Sequence, residues 1–141
     1  MHCWLRHLLS YISNMVYKNI LHIDDDEEDS EIFLEAAQEA SGSVIVDALY
    51  DAREAIDKLI ENVLSPDVIF LDLNMPIMDG FQFLREIKSN LDLKHIPVIV
   101  LSTSSHEDTI QATKNLGAND FITKPSDYGQ LVTILKTFLA Q

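Results

Sequence analysis

The sequence predicts an α/β fold in which a five-stranded parallel sheet is wound on both faces by helices. Residues 68–71 and 98–101 are apolar at every position, as is typical of parallel strands that are buried on both faces. Along the rest of the chain, short apolar segments alternate with segments that have the periodicity of amphipathic helices. This alternation indicates consecutive βα units, and therefore a doubly wound sheet.

Composition limits what such a chain can do. It has 141 residues, of which 47% are hydrophobic, enough for one globular core but not for a second domain. The net charge of -13 disfavours nucleic-acid binding and favours divalent cations or basic partners. The single cysteine, Cys3, excludes an internal disulfide and a cysteine-rich zinc site, and it fits a reducing cytoplasm. No apolar run has the length of a membrane span, so we do not expect membrane contact.

Residues 1–18 are predicted to be an N-terminal extension that precedes the domain. They contain no acidic residue, and their apolar residues have helical spacing. Three explanations stay open: a start codon upstream of a natural start at Met15, a self-association helix, or an anchor at a membrane surface. A signal peptide is disfavoured because Arg6 and His7 interrupt the apolar segment.

Two βα units are predicted before the central strand. A strand at 20–23 leads through an acidic run to a helix, and we expect Gly42 to end that helix. A second strand at 44–48 leads to a helix that Asp51 caps and whose inward face extends to Val63.

The central unit begins with the strand at 68–71, which ends at Asp72. A loop containing a proline follows. Asp79 with Gln82 three positions later is the pattern of a capping box, and it predicts a helix over residues 80–89.

The last two units follow the same order. The strand at 98–101 precedes a weaker helix over about 106–116, and Gly117 is expected to end that helix. A short fifth strand at 121–122 leads to Lys124, and a last amphipathic helix completes the fold.

Polar side chains follow four of the predicted strands. Because the carboxyl ends of parallel strands meet at one edge of a sheet, we expect these side chains to converge. Three carboxylates in one place repel one another unless a cation compensates, and oxygen ligands of this kind suit Mg²⁺ better than zinc. An ammonium and hydroxyls beside them suit an anion, so the set predicts phosphoryl transfer with a carboxylate as nucleophile. The side chains are those of Asp24, Asp25, Asp72, Ser102, Thr103 and Lys124.

Four motifs occur in a fixed order: Ile-Asp24-Asp25, Phe-Leu-Asp72-Leu-Asn-Met-Pro-Ile-Met-Asp-Gly, Val-Leu-Ser102-Thr103, and Phe-Ile-Thr-Lys124-Pro. In this order they resemble the receiver domain of bacterial two-component response regulators, over about residues 19–141. The resemblance implies a flavodoxin-like (βα)5 fold with strand order 2-1-3-4-5.

The resemblance also implies a role for each acidic residue. Asp72 corresponds to the phosphorylated aspartate, and Asp24 and Asp25 correspond to the acidic pair that holds Mg²⁺. Asn74 would supply its main-chain carbonyl to the same ion.

The remaining positions correspond to the phosphoryl contacts and the switch. Lys124 would contact the phosphoryl group, and the Ser102 hydroxyl, followed by Thr103, would turn toward it. Phe121 corresponds to the switch aromatic residue, although it lacks the hydroxyl of a tyrosine. Ser126 stands where many members have an aromatic residue, which disfavours the usual dimer. The residues around Thr103 resemble those of stand-alone regulators found beside phytochrome-type and other hybrid kinases.

The function implied is that of a single-domain response regulator. A histidine kinase or a histidine phosphotransfer protein would phosphorylate Asp72, and the signal would leave by contact with a downstream protein or by passing the phosphate on. No metabolic turnover is expected. Two alternatives are an interaction module that is not phosphorylated and a phosphatase with an aspartyl nucleophile. Such phosphatases place a general acid two residues after the nucleophile, where this chain has Asn74.

Overall fold

The structure, a computed structural model, describes residues 17–75 and 77–139, so most of the predicted extension lies outside the described residues. Within them, five strands alternate with five helices. In chain order these are β1 (Asn19–Ile23), α1 (Glu27–Ala40), β2 (Ile45–Leu49), α2 (Ala52–Ile60), β3 (Val68–Asp72), α3 (Gly80–Ser89), β4 (Val98–Ser102), α4 (Glu107–Asn115), β5 (Asp120–Thr123) and α5 (Tyr128–Lys136).

The strands form one parallel sheet in the order β2-β1-β3-β4-β5. This confirms both the predicted fold class and the predicted strand order. β3 and β4 are buried at every position, as their apolar sequences indicated, whereas the edge strands β2 and β5 are only partly covered. From β1 the chain passes to β2 on one side of the sheet, and from β2 it crosses back over β1 to β3 on the other side. Because the strand order reverses at this point, a crevice opens between the carboxyl ends of β1 and β3.

Helices cover the two faces of the sheet, and alternate strand residues point to each. On one face, α2 and α3 pack over residues such as Leu71 and Val100. On the other, α1 and α5 enclose an aromatic cluster in which the Phe70 ring centroid lies 5.1 Å from that of Phe33 and 6.3 Å from that of Phe138. Among the helices of the described chain, none is both long enough and apolar enough to cross a bilayer.

Aspartates cap the beginnings of four helices. Asp26, Asp51 and Asp127 each accept hydrogen bonds from amides of the first turn that follows them, which satisfies otherwise unpaired donors. Asp79 and Gln82 form the predicted capping box of α3, with both reciprocal hydrogen bonds present. By contrast, α4 begins after His106 without a side-chain capping bond.

Two predicted helix ends need correction. α1 ends at Ala40, and its C-cap Ser41 is extended, so the helix does not use Gly42 as a left-handed terminator. α2 ends at Ile60, and Val63 is 63% exposed rather than part of the inward face. The chain leaves the helix axis just before Val63, where Asn62 takes a φ of 61°. Gly117 does adopt the left-handed conformation, at a φ of 102°, that a helix end favours.

Candidate functional site

Three carboxylates meet at the crevice between β1 and β3. Asp24 and Asp25 directly follow β1, and Asp72 is the last residue of β3. Each offers an oxygen, and these oxygens all lie within 4.8 Å of one another. Asp24 and Asp72 are buried while Asp25 is exposed, so the cluster has a closed base and an open side.

Backbone pairing places these residues side by side. β1 and β3 are hydrogen-bonded neighbours in a register that aligns Ile23 with Leu71, so the residue after each comes next along the same edge. On the other side of β1, the Asp24 amide continues the hydrogen bonding between β1 and β2 by donating to the Leu49 carbonyl at 3.1 Å. Asp24 Oδ1 then accepts a 3.0 Å hydrogen bond from the Asp26 amide, which turns the chain into α1.

The start of α3 packs directly against the end of β3. The Gly80 amide donates to the Leu73 carbonyl at 2.9 Å. A Cβ atom at Gly80 would lie 2.8 Å from the Asp72 carbonyl oxygen and 2.6 Å from Leu73 Cα, both backbone atoms. Only glycine therefore lets the capped helix approach the residue that ends the strand.

Lys124 extends its ammonium group into the acidic cluster from the end of β5. Its amide donates to the Ser102 carbonyl at 2.7 Å, which holds the backbone beside β4. Lys124 Nζ lies 3.2 Å from Asp24 Oδ2 and 3.6 Å from Asp72 Oδ1. It also lies 3.5 Å from Asp29 Oδ2, on the first turn of α1. Asp29 is not among the predicted site residues, because the sequence does not distinguish it from the other acids of the run that follows β1.

The pKa of Asp72 is raised to about 6, chiefly because burial penalises its charged form. The Lys124 charge lowers that pKa, while Asp24 and Asp25 raise it further. Burial lowers the pKa of Lys124, but the charges of Asp72 and Asp24 outweigh that effect, and the net direction is upward. An added cation at the three carboxylates would therefore favour the ionised, nucleophilic form of Asp72.

The donor set fits a hard divalent cation. Three carboxylates supply oxygen ligands, one of the three is open to solvent, and a cation such as Mg²⁺ keeps several waters when it binds one or two carboxylates. Asn74, the fourth predicted ligand, is exposed, and its backbone N–H donates to Asp72 Oδ1 at 3.3 Å. Chemically, a carboxylate that can act as a nucleophile stands beside an ammonium group in a cluster that can hold a metal ion.

The predicted hydroxyl and switch residues lie at the end of β4, in the loop that follows it and on β5. Ser102 is buried, and its Oγ accepts a 3.1 Å hydrogen bond from the Ser104 amide. Thr103 is exposed. Phe121 is half-buried in β5, beside a cavity of about 240 Å³ that Ile110 also lines. The structure thus gathers the carboxylates and Lys124, while the Ser102 hydroxyl is engaged by its own loop.

Comparison with known proteins agrees with this geometry. The family model of the response regulator receiver domain matches residues 20–136. Response regulator Rcp1 of the cyanobacterium Synechocystis is 36% identical over 124 residues, which is 84% of this chain and 84% of that protein.

Two solved structures are similar in fold and sequence. The phosphorylated cyanobacterial phytochrome response regulator RcpA has a TM-score of 0.77 and 39% identity, over 86% of this chain and 90% of that one. The Mn²⁺-bound form of Rcp1 has a TM-score of 0.75 and 36% identity, over 84% of this chain and 89% of that one. With a match over nearly all of its sheet and helices, the chain belongs to the receiver domain family of two-component response regulators.

Proposed function

We propose that Asp72 accepts a phosphoryl group from a phosphohistidine in a step that depends on Mg²⁺. Receiver domains as a family bind a divalent metal and are phosphorylated by histidine kinases. The observation that carries the proposal for this chain is the position of Asp72, which offers an oxygen within 4.8 Å of two further carboxylates and lies 3.6 Å from the Lys124 ammonium.

The proposed metal ligands are the carboxylates of Asp24, Asp25 and Asp72 with the main-chain carbonyl of Asn74. When bound, Mg²⁺ would neutralise charge on the phosphoryl oxygens. The chain's own contribution is to hold one Asp72 oxygen in position for in-line attack. The phosphorus–nitrogen bond of the donor breaks as the phosphorus–oxygen bond to Asp72 forms, and the imidazole leaves with the bonding pair.

The product differs from the unmodified carboxylate in how it meets Lys124 and Ser102. Lys124 would pair with a phosphoryl oxygen. The Ser102 hydroxyl would give up the hydrogen bond that it accepts from the Ser104 amide and donate to the phosphoryl group instead, and Thr103 would move with it. Phe121 would then move into the space beside β4, which shifts the equilibrium of the loop and helix that follow. Ser102 and Phe121 are thus the proposed switch.

The donor we propose is a histidine kinase or a histidine phosphotransfer protein, and the output is a protein contact or onward transfer of the phosphate. We propose that the chain works in the cytoplasm and turns over no metabolite. Its chemistry would be limited to its own phosphorylation and dephosphorylation. Asn74 supports this limit, because an amide cannot serve as the general acid that a phosphatase needs there.

The test is phosphorylation by acetyl phosphate and Mg²⁺, followed by intact mass. We expect one labile phosphate on the wild-type protein, its loss when Mg²⁺ is chelated, and none on Asp72→Asn. Asp47→Asn, an exposed acid on the edge strand, is the matched control and should be phosphorylated like the wild type. If the wild type neither gains phosphate nor binds beryllofluoride, an interaction module replaces the phosphoacceptor. Steady release of phosphate from phosphomonoesters would instead indicate the phosphatase.

A further inference from the structure

We infer that Asp29 is a positioning residue that holds the Lys124 ammonium away from the phosphoryl group and so weakens the binding of that group to the site. This inference rests on the proposed function, because it concerns the lysine that would pair with the phosphoryl oxygens. It goes beyond that proposal by giving a role to a residue on α1 that none of the four motifs contains.

The observation is that three carboxylates share one ammonium. Lys124 Nζ lies 3.2 Å from Asp24, 3.5 Å from Asp29 and 3.6 Å from Asp72. These partners are not equivalent, since the Asp24 side chain is 1% exposed and that of Asp29 is 48% exposed. Asp29 is therefore the solvent-side partner of Lys124, and it belongs to a helix rather than to the sheet edge.

Asp29 is also outside the group of carboxylates that could hold a metal ion. That group consists of Asp24, Asp25 and Asp72, so a cation there would compensate two of the three partners of Lys124. The attraction of Lys124 to Asp24 and Asp72 falls when a cation shares their charge, whereas its attraction to Asp29 does not. Asp29 then becomes the strongest competitor for the ammonium group.

The surroundings of Lys124 leave room for this competition. A cavity of about 400 Å³ lies beside it, lined by Asp24 and Asp29 and by further residues of α1 and α5, but not by Asp72. The Lys124 side chain is 22% exposed, so part of it reaches solvent. A phosphoryl group on Asp72 draws the ammonium toward β3, and the contact with Asp29 on the cavity side opposes that movement.

The experiment measures beryllofluoride affinity in Mg²⁺, since this anion stands in for the phosphoryl group. We expect Asp29→Asn to bind it roughly two- to five-fold more tightly than the wild type, the effect of losing one partly exposed ion pair. Glu28→Gln is the matched control, because Glu28 lies on the same turn and its removal changes the net charge equally. Asp29→Glu keeps the negative charge and should therefore bind beryllofluoride with the affinity of the wild type.

A second readout needs no metal. In the metal-free protein, an amine-reactive label should modify Lys124 about two-fold faster, or more, in Asp29→Asn than in Glu28→Gln, as measured by peptide mass. Equal affinity and equal labelling in these two variants would overturn the inference while leaving the phosphoacceptor proposal intact. A wild-type protein that neither binds beryllofluoride nor gains phosphate from acetyl phosphate would overturn both.

Discussion

The two sides of the site differ in how firmly the fold holds them. The acidic half, formed by Asp24, Asp25 and Asp72, stands on β1 and β3, which are buried at every position except Asn19, and is backed by α3. Gly80, Phe83, Leu84 and Ile87 of that helix are all buried.

The switch half, named for the proposed switch, is formed by Ser102, Phe121 and α4. Ser102 ends the buried strand β4, but Phe121 and α4 have much less support. Thr113 is the buried residue of α4, and this helix begins without a side-chain capping bond. β5, which carries Phe121, is covered at one position and open at others. Segments with few buried apolar contacts open at low cost in free energy, whereas well-packed ones do not. The comparison therefore teaches that the fold holds the acidic half in place, as the proposed phosphoryl transfer requires, and leaves Phe121 and α4 freer to move, as the proposed switch requires.

The largest effect that tests this comparison comes from truncating one side chain in α3 and one in α4. Leu84→Ala should lower the free energy of unfolding by about 2 to 5 kcal/mol, because it removes a fully buried side chain from the core under α3. Ile110→Ala in α4 should cost less than about 1.5 kcal/mol, since Ile110 is only partly buried beside an existing cavity. Urea unfolding of the two variants measures the difference.

Similar losses in the two variants would mean that α4 is as firmly packed as α3. The switch half would then need a trigger stronger than a single phosphoryl group. Coincident transitions followed by fluorescence and by circular dichroism would show that the two-state comparison is valid.

A second test concerns the contact between α3 and the end of β3. Gly80→Ala should destabilise the protein by roughly 1 to 3 kcal/mol, because the new methyl group meets backbone atoms that cannot move aside. It should also slow phosphorylation by acetyl phosphate, since Asp72 would be displaced. Gly42→Ala is the control: nothing lies within 4 Å of a Cβ there, and its unfolding free energy should stay within about 1 kcal/mol of the wild type. Normal phosphorylation of Gly80→Ala would show that the acidic half tolerates displacement.

Much of the acidic half could be predicted from sequence. Four apolar residues followed by Asp72 predicted a buried parallel strand, and the parallel sheet then required Asp24 and Lys124 to meet it at the same edge. The α3 cap followed from Asp79 and Gln82, because a capping box depends on local spacing alone. These inferences succeeded because backbone topology determined the outcome.

The details that escaped prediction depend on side-chain directions and local turns. The direction of Asp29 depends on the phase of the first turn of α1, and within an acidic run no pattern sets it apart. The hydrogen bond from the Ser104 amide to Ser102 belongs to one loop conformation among several that serines allow. Ile77 adopts a φ of 69°, a conformation that β-branched residues rarely take and that no periodicity predicts.

The smallest expected effect concerns the charge of Asp72 itself in the metal-free protein. Its pKa of about 6 is higher than the ordinary value of 3.8, so the folded state binds a proton more tightly than the unfolded state does. The corresponding stability is fully present below about pH 4 and is lost as the pH rises through about 6. Asp72→Asn removes the charge, so it should be more stable than the wild type by about 1 to 2 kcal/mol at pH 7.5, with the difference shrinking toward pH 4.

Urea unfolding at a series of pH values in chelator measures this difference, with Asp47→Asn as the variant that should follow the wild type throughout. Added Mg²⁺ should reverse the order at pH 7.5, because a bound cation favours the ionised carboxylate that Asp72→Asn lacks. A difference between wild type and Asp72→Asn that is the same at pH 4 and pH 7.5 would mean that the folded protein leaves the pKa of Asp72 near its ordinary value, so that Asp72 is ionised at pH 7.5. The acidic half would then hold its charge without a metal, and the preorganisation inferred for it would extend to electrostatics as well as geometry.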